Sequence, residues 1–389
     1  MMDSKSSLHY KETMTSRERV KRAVNMEPVD RMPIDLGAHG SSGISAFAYY
    51  ALREKLGLPT DKIEITEIIP MLARVDEDIL QRFHCDFMVL KTPGAKLRSW
   101  NVRGKYHFLV PDNVLLVEND RGDWIVDNKG RMKMQRTGYF FDMDKAFWPE
   151  IDSRSDAQLI ADTAKEAERI FKETDYYIMY NELYSFFRQD VDWMCRMMTE
   201  PEEIFAENKK RLAKELEFAA SLIKSTGGYI QAVSIASDLG TQTGPFINPE
   251  VYNDLCAPFL QKFCSFIHEN SDLKIMMHSC GSISKFIPTL IECGVDMLNP
   301  VQISAAGMDP AELKSRFGDE MVFWGGGCDT QNVLEKGSIE EIRSNVRELA
   351  GIFKKNSGFI FNQVHNIMGN VPPENIIAML DAAYEAGFY

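Results

Sequence analysis

No apolar run in this chain approaches the roughly 20 residues that a membrane span needs, so no membrane-embedded role is expected. No block of lysine and arginine offsets the formal net charge of −13, which disfavours sequence-independent binding to nucleic acid or anionic lipid. The N-terminus, MMDSKSSLHYKETMTSRERV, lacks the apolar core of a secretion signal, and residues 1–15 read as a flexible extension. Cysteine is sparse and odd in number, seven in all: Cys85, Cys195, Cys256, Cys264, Cys280, Cys293 and Cys328. Without an export signal a disulfide framework is not expected; free thiols in a reducing cytoplasm, or metal ligands, are. No GxGxxG or GxxxxGK[ST] follows an apolar run, and Gly240-Thr241-Gln242 is too short for a phosphate loop. Gly325-Gly326-Gly327 reads as a tight turn, and no G-x-S-x-G nucleophile elbow occurs.

What is present is the material of a large soluble α/β protein. The hydrophobic fraction is 44% and the charged fraction 26% of 389 residues, ordinary for a globular chain. The 21 methionines fall mostly inside apolar stretches, where they serve as core filler. Short apolar runs at 32–36, 87–90, 177–180, 230–235, 274–277, 296–298, 321–323 and 358–361 are separated mostly by segments of helical period, such as PEVYNDLCAPFLQKFCSFIHE at 249–269. Eight βα repeats favour a (β/α)8, TIM-like barrel over a doubly wound sheet. Residues 97–140 break the alternation. They carry turn signals at Pro111-Asp112-Asn113, Asp120-Arg121-Gly122 and Asn128-Lys129-Gly130 between runs rich in Val, Ile, Trp and Tyr, the pattern of a β-meander inserted in a βα loop. With no linker or repeat, residues 1–389 are expected to form one elaborated barrel domain.

Barrel active sites gather at the C-terminal ends of the strands, so the residues after each apolar run are a test. They are Gly37-Ala38-His39-Gly40, Asn181-Glu182, Ser237-Asp238-Leu239-Gly240, His278-Ser279-Cys280-Gly281, Asn299-Pro300-Val301-Gln302, Gly327-Cys328-Asp329 and Gln363-Val364-His365-Asn366. Polar, titratable or metal-capable groups recur at nearly every mouth. In an extended segment His278 and Cys280 point the same way, and Cys328 arrives from another strand end after three glycines. Two thiolates and an imidazole would suit Zn²⁺ with a fourth position open. A buried histidine and two buried core thiols fit the same spacing. For Glu182 and Asp238 a helix cap or ion pair stands beside a catalytic role, and His39 and His365 complete the set.

These stretches are similar to a known family. SRERVKRAVNMEPVDRMPIDLG (16–37), SDLGTQTGPFINPEVY (237–252), HSCGSISKFIPTLIECGVDMLNPVQISAAGMDPAELKSRFGD (278–319), FWGGGCDTQNVL (323–334) and HNIMGNVPPENI (365–376) resemble the uroporphyrinogen decarboxylase superfamily. Within it they look like the zinc-dependent corrinoid methyltransferases, and most closely those that demethylate methyl ethers. The resemblance implies a (β/α)8 barrel with its site at the mouth and zinc on His278, Cys280 and Cys328. It departs from the decarboxylase proper, which places arginines after the first strand to grip substrate carboxylates. Here no basic residue lies between Arg31 and Arg53. No D-x-H-x-x-G cobalamin signature occurs, so the corrinoid is expected on a partner protein.

The expected reaction is methyl transfer from a small methylated donor, such as a methoxylated aromatic, to cob(I)alamin on that corrinoid protein. Glu182 is a candidate fourth zinc ligand when substrate is absent. Asp238, His39 or His365 are candidates to protonate or orient the departing oxygen. Phe47, Tyr49, Tyr50 and Phe187 either line a pocket or pack the core. Competing expectations are a methylcobalamin:thiol methyltransferase with a zinc-activated thiolate, a metal-free decarboxylase-like enzyme, and a non-catalytic binding protein.

Overall fold

Six of the apolar runs pair side by side as a parallel sheet. Its strands are Met179–Tyr184, Ala232–Ala236, Lys274–His278, Met297–Asn299, Val322–Trp324 and Phe359–Ile360, each bonded to the next in chain order. The computed structural model describes residues 11–91, 96–126, 132–143 and 154–389, with the side chain of Glu182 left aside. Beyond the sheet edges, single bridges continue the path. Residue 361 pairs with Ile34, and Phe87 pairs with Tyr177, both parallel. The backbone then closes the circle: Asp35 N–H donates to Phe361 O (2.9 Å), Asp86 N–H to Ile34 O (2.8 Å), and Tyr177 N–H to Asp86 O (2.9 Å). Phe361 N–H also donates to Pro33 O (2.8 Å) and Met88 N–H to Tyr177 O (3.2 Å), so the first two segments join the ring through short stretches of such bonds. The eight-segment α/β barrel expected from the run count is therefore the fold.

Apolar side chains fill the ring. Phe87, Tyr177, Met179, Ala232, Met276, Met297, Val322, Trp324 and Ile360 form one buried cluster, since alternate residues of each strand face inward. Helices cover the outside, including Asp156–Glu173, Pro201–Thr226, Ala257–Asn270, Ile339–Phe353 and Pro373–Gly387. Their starts follow from sequence: Ser155 and Ser338 cap the first and fourth of these, and proline stands in the first turn of the other three. Among the described residues no helix is long and apolar enough to cross a membrane.

The β-rich segment after residue 96 is divided between two sheets. The hairpin Leu97–Val102 with Tyr106–Pro111 joins Ile63–Glu67 and Leu72–Ala73, whereas Leu116–Glu118, Trp124–Val126, Met132–Met134 and Asp142–Met143 form a separate meander. The hairpin turns at Arg103 and Gly104, both at positive φ; the Asn128-Lys129-Gly130 turn lies outside the described residues.

At the end of the barrel opposite His278, helix Ser16–Val24 is locked by charge. Arg19, 1% exposed, pairs with Asp30 (2.7 Å), Asp86 (2.6 Å) and Glu12 (2.9 Å), and Arg31 pairs with Asp86 (2.7 Å). Asp86 also accepts the Ile34 amide at 2.8 Å. Residues 1–10 lie outside the described residues, whereas Thr13 and Met14 donate their amides to Asp30.

Candidate metal centre

Strand register sets the first pieces in place. Ala236, His278 and Asn299 pair across three adjacent strands, so their side chains share the inner face at one end of the barrel. After His278 the chain turns sharply. Gly281 sits at φ +87°, and a Cβ there would lie 2.2 Å from Gly240 O. Only glycine lets the loops after the fourth and fifth strands touch backbone to backbone. That contact carries Cys280 against Asp238, whose Oδ1 accepts the Cys280 amide at 2.9 Å. Gln302 Oε1 accepts the Gly281 amide at 2.8 Å, holding the turn from the next strand end.

The result is a cluster. Cys280 Sγ lies 3.5 Å from His278 Nε2, and Asp238 Oδ1 lies 3.6 Å from the same nitrogen. Ligand atoms of His278, Cys280 and His365 all fall within 4.8 Å of one another. Tetrahedral zinc with bonds of about 2.0–2.3 Å would hold such atoms about 3.3–3.8 Å apart, a small contraction from what is seen. One thiol and two imidazoles are a fitting donor set for that ion, with a fourth position left over.

Cys328 is not part of this group. It is fully buried, and burial pushes its thiol well above the usual range, with Asp329 adding to the effect. Its carbonyl accepts the Val364 amide at 3.0 Å, so its backbone runs beside the loop that carries His365. Gly327 allows this, since a Cβ there would lie 2.4 Å from the Phe361 ring. Glu182 belongs to the strand Met179–Tyr184, but its side chain lies outside the described residues. His39 is 5% exposed, packs its ring 5.6 Å from that of His278, and buries its Nε2 with no hydrogen-bond partner among the described residues.

Burial governs protonation here. It pushes the Cys280 thiol well above its ordinary value, and Asp238 pushes the same way. Burial and the neighbouring His278 lower His365 to about 4. The same two causes, with His365 added, hold His39 well below the usual histidine range. Without metal Cys280 is a protonated thiol beside the neutral ring of His365, and binding a cation would release the thiol proton.

Two supporting residues had no role assigned from sequence: Asn299, noted only as a polar strand end, and Asp35. Asn299 Oδ1 lies 3.0 Å from His278 Nδ1 and accepts the Ser41 hydroxyl at 2.6 Å, while its Nδ2 donates to Trp324 O at 3.3 Å. Asp35, fully buried, accepts the Trp324 indole N–H at 2.9 Å and the Ala38 amide at 3.0 Å, and burial raises it to about 6. A polar residue at a strand end marked Asn299, but its partners come from distant loops. Phe47 (2% exposed), Tyr49 (0%) and Phe187 (4%) are core residues rather than pocket walls, and Tyr50 is half-buried against Tyr106.

The sequence model of the uroporphyrinogen decarboxylase (URO-D) family matches residues 188–386, just over half of the 389-residue chain. A uroporphyrinogen decarboxylase from Psychromonas ingrahamii is 24% identical over 145 residues, 36% of this chain and 39% of that enzyme. The match thus spans well under half the length of that relative. A solved methyltransferase from Methanosarcina mazei superposes with a TM-score of 0.58 at 14% identity, over 96% of this chain and 99% of its own. At that identity the likeness concerns the fold.

Proposed function

The chain belongs to the uroporphyrinogen decarboxylase family, and we propose that within it this protein is a zinc-dependent methyltransferase. The donor is a small methylated compound, best a methyl ether such as a methoxylated aromatic. The acceptor is cob(I)alamin on a separate corrinoid protein. The observation that carries this reading is the convergence of His278, Cys280 and His365 at one barrel mouth. His278 and Cys280 would hold the ion. Cys328, implied by the resemblance, and His365, brought close by the fold, compete for the third position. Glu182 remains the proposed fourth ligand when substrate is absent.

The chemistry that zinc supplies at such a centre is Lewis acidity toward the oxygen that must leave. The protein's own groups do the rest. Asp238, 3.6 Å from His278 Nε2 and bonded to the Cys280 amide, orients the Cys280 turn and is one candidate, with His39 and His365, to protonate or orient the departing oxygen. The His39 ring lies 5.6 Å from that of His278.

Decarboxylation of a polycarboxylate is disfavoured by the arginines that flank the first loop. Arg31 is buried against Asp86, and Arg53 pairs with Asp76 and Asp78 at 2.9 Å each. Neither guanidinium is free to grip a substrate. The test is elemental analysis of purified protein, with a screen of methoxylated aromatics, methylamines and methylthiols against a reduced corrinoid acceptor. We expect bound zinc and ether-dependent methylation of the acceptor. Protein without zinc, or methyl uptake by a thiol instead, would overturn the reading. Cys328→Ala tests the third ligand: full retention of zinc and transfer would remove Cys328 from the site.

A further inference from the structure

The two histidines at the barrel mouth have their protons placed by different neighbours. His278 Nδ1 faces Asn299 Oδ1 at 3.0 Å. The Asn299 amide cannot be turned over, because its Nδ2 donates to Trp324 O at 3.3 Å and its Oδ1 accepts the Ser41 hydroxyl at 2.6 Å. A flipped amide would set its oxygen against the Trp324 carbonyl, two acceptors with no proton between them. An oxygen facing Nδ1 requires that Nδ1 carry the proton. Neutral His278 then bears its lone pair on Nε2, the atom 3.5 Å from Cys280 Sγ. That is the arrangement of a metal-ligating histidine held by an outer partner.

His365 is held the other way. The Asn366 backbone N–H donates to His365 Nδ1 at 2.8 Å, so Nδ1 supplies the lone pair and Nε2 carries the proton in the neutral ring. Asn366 is itself pinned, since its Oδ1 accepts the Gly43 amide at 2.8 Å. Among the described residues His365 Nε2 has no hydrogen-bond partner. For Nε2 to bind a cation, the ring would have to give up the Asn366 bond and move its proton.

We infer that the two rings divide the work: His278 is the ligand, oriented by Asn299, and His365 is a hydrogen-bond donor to the oxygen that leaves the methyl group. This rests on the methyl-transfer reading and deepens it, choosing His365 over Asp238 and His39 as the group that meets the leaving oxygen. In the step, the methyl carbon parts from oxygen and the C–O electron pair stays on oxygen. Reduced cobalt of the acceptor provides the pair for the new carbon–cobalt bond. The His365 N–H stabilises the developing negative charge without surrendering its proton; the freed alkoxide or phenolate takes a proton from water. Asn299 acts through His278 and is a positioning residue.

The test needs metal content, transfer kinetics and a direct view of the protons. In full-length protein, His365→Ala is expected to keep its zinc and lose about 100-fold in methyl transfer, the usual cost of one charge-stabilising donor. His365→Gln, which keeps an N–H, is expected to recover part of that loss. Asn299→Leu is expected to weaken zinc binding about 10- to 100-fold, and Asn299→Asp, which keeps the acceptor, to restore it. Nitrogen-15 NMR of the metal-free wild type is expected to find the proton on Nδ1 of His278 and on Nε2 of His365. Zinc loss in His365→Ala would make His365 a ligand and overturn the inference, as would retained zinc with unchanged transfer or the opposite protons. Wild type that carries these protons yet binds no zinc would overturn the metal reading alone. The NMR measurement decides the proton placement even if a variant fails to fold.

Discussion

At the scale of single residues, the centre depends on positions that bear no reactive group. Gly281 is one. Its φ of +87° costs another residue about 1–2 kcal/mol, and a Cβ would meet Gly240 O at 2.2 Å. Gly281→Ala is expected to lose at least that much stability in urea titration. It is also expected to weaken zinc binding, because the Cys280 turn must shift to make room. A variant with wild-type midpoint and zinc affinity would show that the loop contact is not needed. Asn299 is another such position: its value lies in where it puts a proton on His278. Both could be seen in the sequence as a glycine and a polar strand end. Their partners, Gly240, Ser41 and the Trp324 carbonyl, lie 25 to 258 residues away along the chain in the case of Asn299, and no local pattern links them.

At the scale of elements, the helix Ser16–Val24 shows how charge holds the closed end of the barrel. Arg19 is 1% exposed and its partner Asp86 is fully buried. Removing one member of a buried pair strands the other, so Arg19→Met is expected to cost about 3–5 kcal/mol, read from denaturant midpoints. Acid should act on the same network. Its hydrogen bonds and Arg19 hold Asp30 at about 2 against the opposing effect of burial, below the ordinary value of about 4. A depressed carboxylate adds stability above its unfolded value and loses it as pH falls through its folded one. Stability is therefore expected to drop between about pH 4 and pH 2, and Asp30→Asn to flatten that slope. An equally steep decline in the variant would place the acid sensitivity elsewhere. Asp35 acts with the opposite sign: burial raises it to about 6, so its ionisation costs stability as pH climbs from about 4 to 6.

At the scale of the molecule, metal and fold are coupled. The proposed ligands come from strands and loops that only the closed ring brings together, so zinc binds the folded chain in preference to the unfolded one. At a free concentration 100 times its dissociation constant, zinc is expected to add about 2.7 kcal/mol, seen as a rise in melting temperature that a chelator reverses. Affinity is expected to increase from pH 6 to pH 8, because burial and Asp238 hold the Cys280 proton that zinc must displace. A pH-independent affinity would mean that Cys280 is not a ligand.

By itself the sequence determined the barrel, because eight apolar runs between amphipathic segments can bury their faces in few other ways. It also determined His278 and Cys280 as a pair, since alternate residues at a strand end face the same way. It could not show that His365 lies beside the pair. His365 comes close because loops after the fifth and eighth segments meet over the ring mouth, whereas Cys328, on a neighbouring loop, is buried outside that group. Nor could it reveal which nitrogen of each histidine holds the proton. Those outcomes are set by hydrogen bonds between residues far apart in the chain, and such bonds come into being only when the ring closes.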